Sequence, residues 1–307
     1  MKIAVLFGGS SSEKEVSMST GISIINVLQK QYEVFPLNWS GNIKDLGSQL
    51  YNVDLVFNAL HGGDGENGVV QTYFESHNIP YTGSNSKASM LAMDKHLTKL
   101  VAQSANILTP KWILLKWNNY QKDKVELQNE DSGKFNYPFI VKPSNEGSTI
   151  GVTLVKEKTS VDEAIILASN FSNNIIIEEY IDGREITVGI LGNKALPVIE
   201  IIPKSGFYDY NSKYKDNKCL YKELDDIDSS VIRKIQDDSI KIYKNLNCRH
   251  YARVDYIIDK KGNYYFLEIN TLPGMTSTSL IPKAAKIANL NFDKLINTIV
   301  NIAIVDQ

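Results

Sequence analysis

Residues 251–270 read Tyr251-Ala252-Arg253-Val254-Asp255-Tyr256-Ile257-Ile258-Asp259-Lys260-Lys261-Gly262-Asn263-Tyr264-Tyr265-Phe266-Leu267-Glu268-Ile269-Asn270. Two runs rich in aromatic and β-branched residues flank a Lys-Lys-Gly-Asn turn, the pattern of an antiparallel hairpin. Side chains two apart in a strand share a face. Arg253 and Asp255 therefore point together, as do Glu268 and Asn270, and pairing the strands brings one guanidinium, two carboxylates and one amide to a single place. Such a cluster beside Val254, Ile257, Leu267 and Ile269 is expensive to bury without a counter-charge. All-oxygen ligation by Asp255, Glu268 and Asn270 suits magnesium, which is typically held by few carboxylates together with substrate phosphates. The competing assignment is a surface ladder of Arg–Asp and Glu–Asn pairs.

Upstream of the hairpin, strands follow one another at 112–115, 138–141, 152–155, 175–180 and 185–191, with few helices between them. Residues 118–136 are polar and charged and read as a solvated loop or helix. Residues 203–220 carry Phe207, Tyr208, Tyr210 and Tyr214 among small and polar residues. Long loops of that kind in compact domains are lids more often than linkers. A helix is expected at 229–246 and a last one at 292–303. The first 90 or so residues alternate instead: strands at 3–7, 32–37 and 53–60, helices at 17–29, 69–77 and 86–105. Alternation of this kind implies an open parallel α/β lobe. The expected domains are therefore an α/β lobe over 1–92, a central subdomain over 93–182, and an α+β C-terminal subdomain over 183–307 containing the loop 203–220.

Composition narrows the function. The chain has 307 residues, 43% of them hydrophobic, enough for two or three packed lobes. Thirty-three Lys plus Arg against 35 Asp plus Glu supply no whole-molecule footprint for nucleic acid or an anionic membrane. Cys219 and Cys248 lack metal or disulfide-scaffold spacing. The apolar run 3–7 is too short for a signal peptide, and no stretch approaches the roughly 18 apolar residues of a membrane span, so a cytoplasmic protein is expected.

Two further stretches carry chemistry. In 140–151 a lysine, Lys142, ends an apolar strand and a small-residue loop, Ser144-Asn145-Glu146-Gly147-Ser148-Thr149, follows. Backbone amides in such a turn plus a point positive charge make a phosphate site. No P-loop or dinucleotide fingerprint is present, so a nucleotide would be held in another way. The third stretch, His61-Gly62-Gly63-Asp64-Gly65-Glu66-Asn67-Gly68, follows a strand at its carboxyl end, where open α/β sheets bind ligands. Four histidines without a Cys/His cluster make zinc an improbable ligand.

These stretches, with Phe7-Gly8-Gly9, Glu13-Lys14-Glu15-Val16-Ser17, Met93-Asp94-Lys95 and Thr271-Leu272-Pro273-Gly274-Met275-Thr276, resemble the ATP-grasp carboxylate–amine ligases. Within them the closest likeness is to the D-alanine:D-alanine ligases, over nearly the whole chain. The resemblance implies an N-terminal α/β lobe followed by a two-subdomain ATP-grasp fold with ATP between two antiparallel sheets. It implies Lys95, Lys142 and Lys213 on the phosphates, Glu178, Glu179 and Ile181 along adenine and ribose, and Glu185 on the ribose hydroxyls. Two Mg2+ ions, replaceable by Mn2+, would sit on Asp255, Glu268 and Asn270. Glu13 would take the ammonium of the first D-alanine, with His61 nearby and Ser148 and Tyr214 completing a hydrogen-bonded triad. Arg253 and the Gly274 N–H would stabilise an oxyanion, and Ser279 and Leu280 would receive the second substrate's carboxylate. A homodimer supplying peptidoglycan precursors is implied as well. Departures from the commoner pattern are Glu179 for lysine, Asn67 for aspartate, Thr149-Ile150 for Ser-Val and Thr278 for histidine. Alternatives are a ligase with another acceptor, such as D-lactate, and a nucleotide-binding module without chemistry.

Overall fold

The computed structural model describes residues 1–122, 136–203 and 219–306. Three sheets organise them. Strands β1 (Lys2–Gly8), β2 (Glu33–Trp39) and β3 (Leu55–Asn58) pair in parallel in the order β2-β1-β3. The apolar run of β1 is buried on both faces, as a central parallel strand must be. The helix Lys14–Leu28 connects β1 to β2 and lies so close to β1 that a side chain at Gly21 would come within 2.5 Å of Phe7 Cβ.

The second sheet holds β4 (Trp112–Lys116), β5 (Phe139–Pro143), β6 (Thr153–Val155) and β7 (Asn174–Glu179), antiparallel in the order β4-β7-β5-β6. The third holds β8 (Gly183–Leu191), β9 (Lys194–Pro203), β10 (Cys219–Glu223), β11 (Tyr251–Asp259) and β12 (Tyr264–Asn270), antiparallel in the order β10-β9-β8-β11-β12. The hairpin expected at 251–270 is the β11–β12 pair.

Several elements differ from the sequence expectation. β9 was not anticipated because Pro197 interrupts its apolar run. The structure accommodates that proline where the β8–β9 register jumps, between Val188 paired with Val198 and Ile190 paired with Ala195. Proline, which cannot donate to a ladder, is tolerated at such irregularities. The helical pattern at 86–105 is two helices, Ser86–Met93 and Lys95–Ser104, broken at Asp94. Helices Val161–Ser169 and Leu280–Ile287 are additional, each burying a short apolar stripe. The loop expected at 203–220 ends in β10; residues 204–218, including Lys213 and Tyr214, lie outside the described residues.

One core cluster joins the two ends of the chain: Ile3, Val5 and Phe7 of β1 and Ile24 of the first helix share it with Ile296, Ile299, Val300 and Ala303 of the helix Phe292–Val305. A second lies under the third sheet, centred on Val188, Val254, Tyr256 and Phe266.

Candidate active site

The break at Asp94 is the local event that aims a lysine. Asp94 leaves the helical region (φ −85°, ψ 103°), and its carboxylate accepts from the N–H groups of His96 at 2.9 Å and Leu97 at 3.3 Å, capping the next helix. Ser144 Oγ donates to the same oxygen at 2.7 Å, and the Lys95 N–H donates to the Ser144 carbonyl at 3.0 Å. The cap thus pins the helix start to the loop after β5. From there Lys95 Nζ reaches the Glu146 carbonyl at 2.5 Å and Glu268 Oε2 on β12 at 3.1 Å.

Lys142, at the end of β5, lies 2.5 Å from Glu178 Oε1 on the neighbouring β7. The other oxygen of Glu178 is 2.9 Å from Lys99, which is completely buried. Burial disfavours the Glu178 carboxylate, but Lys142 and Lys99 outweigh it and hold the pKa down to about 2. Burial, countered by Glu178, brings Lys99 down to about 8.

The hairpin register pairs Arg253 with Asn270 and Asp255 with Glu268. Asp255 is buried and accepts from Arg253 Nε at 2.9 Å and Nη2 at 2.8 Å, from Asn270 Nδ2 at 3.0 Å and from Thr187 Oγ1 at 2.6 Å. The convergence inferred from alternation is therefore present, with Asp255 buried and Arg253, Glu268 and Asn270 half-buried around it rather than forming a fully exposed surface ladder. Two carboxylates face each other across the pair, and the Asn270 amide, donating through nitrogen, leaves its carbonyl oxygen as the end to meet a cation. This hard-oxygen donor set fits magnesium. Among the described residues no cluster of three or more His, Cys, Asp or Glu makes a metal site, so the amide is needed to complete this one.

A cavity of about 530 Å³ opens above the hairpin, lined by Glu13, His61, Ser148, Arg253, Gly274, Ser279 and Leu280. Glu13 accepts from Ser148 Oγ, linking the first helix to the loop after β5. Gly62 faces the Glu13 carboxylate with φ +62°, where a Cβ would lie 2.6 Å from Glu13 Oε2, so glycine alone allows the approach. His61 Nε2 shares a hydrogen bond with Thr20 Oγ1 at 3.0 Å, and burial lowers its pKa, which keeps the ring neutral. Burial, reinforced by the charge of Glu13, raises Glu66 to about 7. Ser279 precedes the helix Leu280–Ile287; its hydroxyl accepts from the Thr276 N–H at 3.0 Å and lies 2.9 Å from Thr276 Oγ1.

A second cavity of about 380 Å³ lies between the second and third sheets, lined by Lys142, Glu178, Glu179, Ile181 and Glu185 with apolar Ile140, Val152 and Leu267. Lys95, Glu146, Asp255 and Glu268 line both cavities. All the residues singled out from the sequence thus face one cavity or the other, apart from Lys213 and Tyr214 outside the described residues. The sequence reading missed Lys99, Thr187 and the individual role of Glu66. Lys99 stands four residues after Lys95 and Thr187 two after Glu185, so helix and strand periodicity respectively were the available signals.

Residues 101–301 match the protein family described as D-ala D-ala ligase C-terminus, and residues 40–84 match D-ala D-ala ligase N-terminus. The chain belongs to the D-alanine–D-alanine ligase family. A D-alanine–D-alanine ligase of Aquifex aeolicus (strain VF5) is 40% identical over 98% of this chain and 100% of its own. One of Clostridium beijerinckii is 38% identical over 98% of this chain and 97% of its own. The crystal structure of a D-alanine–D-alanine ligase from Bacillus anthracis complexed with ATP superposes with a TM-score of 0.87 at 34% identity, covering 99% of this chain and 98% of that one. The VanG D-Ala:D-Ser ligase of Enterococcus faecalis has a TM-score of 0.85 at 30% identity, covering 98% of this chain and 99% of that one. The mixed α/β architecture is accordingly that of an ATP-grasp ligase of this family.

Proposed function

We propose that the enzyme joins two molecules of D-alanine into D-alanyl-D-alanine at the expense of ATP, through a D-alanyl phosphate. The observation that carries the reading is the meeting of the two cavities at Lys95, Asp255 and Glu268. A nucleotide seated between the sheets directs its phosphates to the place where the larger cavity presents an amino-acid site.

Adenine enters the apolar slot beside Ile140 and Ile181 at the edge of β7, and Glu185 takes the ribose hydroxyls. Lys95 and Lys142, with Lys213 of the loop, bind the phosphates. Asp255, Glu268 and Asn270 would hold two Mg2+ ions, for which Mn2+ may stand in, to neutralise phosphate charge. Glu13 binds the ammonium of the first D-alanine with His61, Ser148 and Tyr214 supporting it, and its carboxylate attacks the γ-phosphoryl group, releasing ADP. The amine of the second D-alanine, its carboxylate received by Ser279 and the backbone of Leu280, attacks the acyl carbon. Arg253 and the Gly274 N–H stabilise the oxyanion, and phosphate leaves. We assign the donor lobe to 1–92 and the two ATP-grasp subdomains to 93–182 and 183–307, and expect a cytoplasmic homodimer serving cell-wall synthesis and cell shape. No helix among the described residues is long and apolar enough to cross a membrane.

Phosphate release from MgATP, measured with D-alanine alone and with D-serine, D-lactate or L-alanine added as acceptors, tests the assignment. Release that depends on D-alanine, with D-alanyl-D-alanine as the main product, is expected. Release indifferent to D-alanine refutes it, and a dominant D-alanyl-D-serine or D-alanyl-D-lactate product reassigns the acceptor.

A further inference from the structure

Lys99 is a cation beside the nucleotide cavity with no access to it: its side chain has no exposed surface, and it lines neither cavity. Burying an ammonium is costly, and an ion pair in the interior is often no better for stability than a well-packed apolar substitute. Lys99 nevertheless sits in a fully built setting. Its Nζ lies 2.9 Å from Glu178 Oε2, donates to Thr109 Oγ1 at 2.8 Å and stands 5.5 Å from the centre of the Trp112 ring. Thr109 in turn donates to the Phe266 carbonyl of β12 at 2.8 Å.

The charge balance at this spot has a consequence for the ligand. Glu178 alone would cancel Lys142, with which it makes a 2.5 Å contact. Two ammoniums on one carboxylate leave one net positive charge, and of the three groups Lys142 and Glu178 face the cavity while Lys99 stands behind them. We propose that Lys99 is a positioning residue for the nucleotide: it neutralises Glu178 from behind, so that Lys142 presents an uncompensated charge to the phosphates. The inference rests on the ATP reading of the second cavity. It also explains the spacing on the helix Lys95–Ser104. One helical turn separates Lys95, which reaches Glu268 on the third sheet, from Lys99, which reaches Glu178 on the second, so the helix ties Lys95 to Lys142 through Lys99 and Glu178. The directions of titration agree: Glu178 is held ionised, and Lys99, although lowered to about 8 by burial, remains charged at neutral pH.

The test introduces Lys99→Met, which keeps the length and packing of the side chain, both into the wild-type protein and into Glu178→Gln, a background in which Lys142 has no ionised partner and which serves as its own reference. MgATP affinity is measured by calorimetry without D-alanine, and KM for ATP, KM for D-alanine and kcat are measured by phosphate release. Lys99→Met is expected to bind MgATP about tenfold or more weakly, a decade being about 1.4 kcal/mol, with KM for D-alanine unchanged. In the Glu178→Gln background the same substitution is expected to change MgATP affinity less than about threefold relative to Glu178→Gln itself, which a role in packing alone would not produce. Wild-type affinity in Lys99→Met, or the same fold-loss on introducing Lys99→Met into both backgrounds, overturns the inference. If Lys99→Met alone does not fold, the Glu178→Gln background decides: affinity of the double variant within about threefold of Glu178→Gln supports the proposal and a further loss of about tenfold overturns it. Failure of the wild-type protein to bind MgATP would instead remove the reading beneath it.

Discussion

Thr187→Val removes one hydroxyl and almost no volume, which makes it a clean probe of how Asp255 is held. Thr187 on β8 is paired in register with Asp255 on β11, and both are buried. Its Oγ1 donates to Asp255 Oδ1 at 2.6 Å. Asp255 Oδ1 keeps one further donor, Arg253 Nε at 2.9 Å, while Oδ2 is shared by Arg253 Nη2 and Asn270 Nδ2. A hydrogen bond to a charged group is worth about 1.5–3 kcal/mol, and the surviving donor on the same oxygen places the loss near the lower end, about 1.5 kcal/mol. Because Asp255 is assigned to the metal, part of that loss appears as freedom of a ligand to rotate. Losing a group that orients a ligand costs about 10–100-fold in metal affinity, and the lower figure agrees with the bond energy. The assay is phosphate release titrated with Mg2+ at saturating ATP and D-alanine. The half-saturating Mg2+ concentration should rise about tenfold, with kcat at saturating Mg2+ much less affected. An unchanged Mg2+ titration in a variant of wild-type circular dichroism and melting profile would refute the assignment of Asp255 as a ligand held by Thr187.

Other expectations follow from single contacts. Glu268→Gln removes one of the two facing carboxylates and the 3.1 Å ion pair to Lys95, and should abolish D-alanine-dependent ADP formation while the far-ultraviolet spectrum is retained; near wild-type turnover at limiting Mg2+ would contradict it. For Glu66, the folded chain keeps its proton up to about pH 7, whereas the unfolded chain releases it in the ordinary carboxylate range, so this group's contribution to stability falls as pH rises between those values. Glu66→Gln should therefore stabilise the protein relative to wild type above pH 7 and little at pH 5, as read by denaturant melts across that range. Gly21→Ala forces a methyl to within 2.5 Å of Phe7 Cβ and should cost about 1–3 kcal/mol of stability, read as a lowered melting temperature.

What the sequence disclosed, and what it hid, divides along physical lines. The hairpin was readable because strand period is two and every functional side chain on it obeys that period; Arg253, Asp255, Glu268 and Asn270 needed only the register to meet. β1 was readable from its uninterrupted apolar run, and the last helix from apolar residues recurring at helical spacing. β9 was hidden because Pro197 ordinarily argues against a strand, and only the irregularity opposite Gly189 makes it harmless. The Asp94 break was hidden because Asp94 reads as an ordinary polar helix residue until Ser144, fifty positions away, is seen donating to it. Lys99 was hidden for the same reason in a sharper form. A lysine on an amphipathic helix is assigned to solvent, and nothing local says that Glu178 of another sheet will be packed against it. The individual catalytic assignments came from resemblance; sequence spacing alone would not have joined Glu13 to Ser148.

The core shared by the two ends of the chain has a bearing on how the protein can be made. Ile3, Val5 and Phe7 are synthesised long before Ile296, Ile299, Val300 and Ala303, which complete the cluster around them. Glu13 and Ser279, which face one cavity, are separated by nearly the same interval. A nascent chain can therefore pack β1 against the helix Lys14–Leu28 and its neighbouring strands early, but completes this cluster, and brings its donor and acceptor residues together, only once the C-terminal subdomain has been made. Termination before the helix Phe292–Val305 leaves one side of this cluster exposed, so truncated products offer apolar surface to chaperones and proteases rather than partial activity.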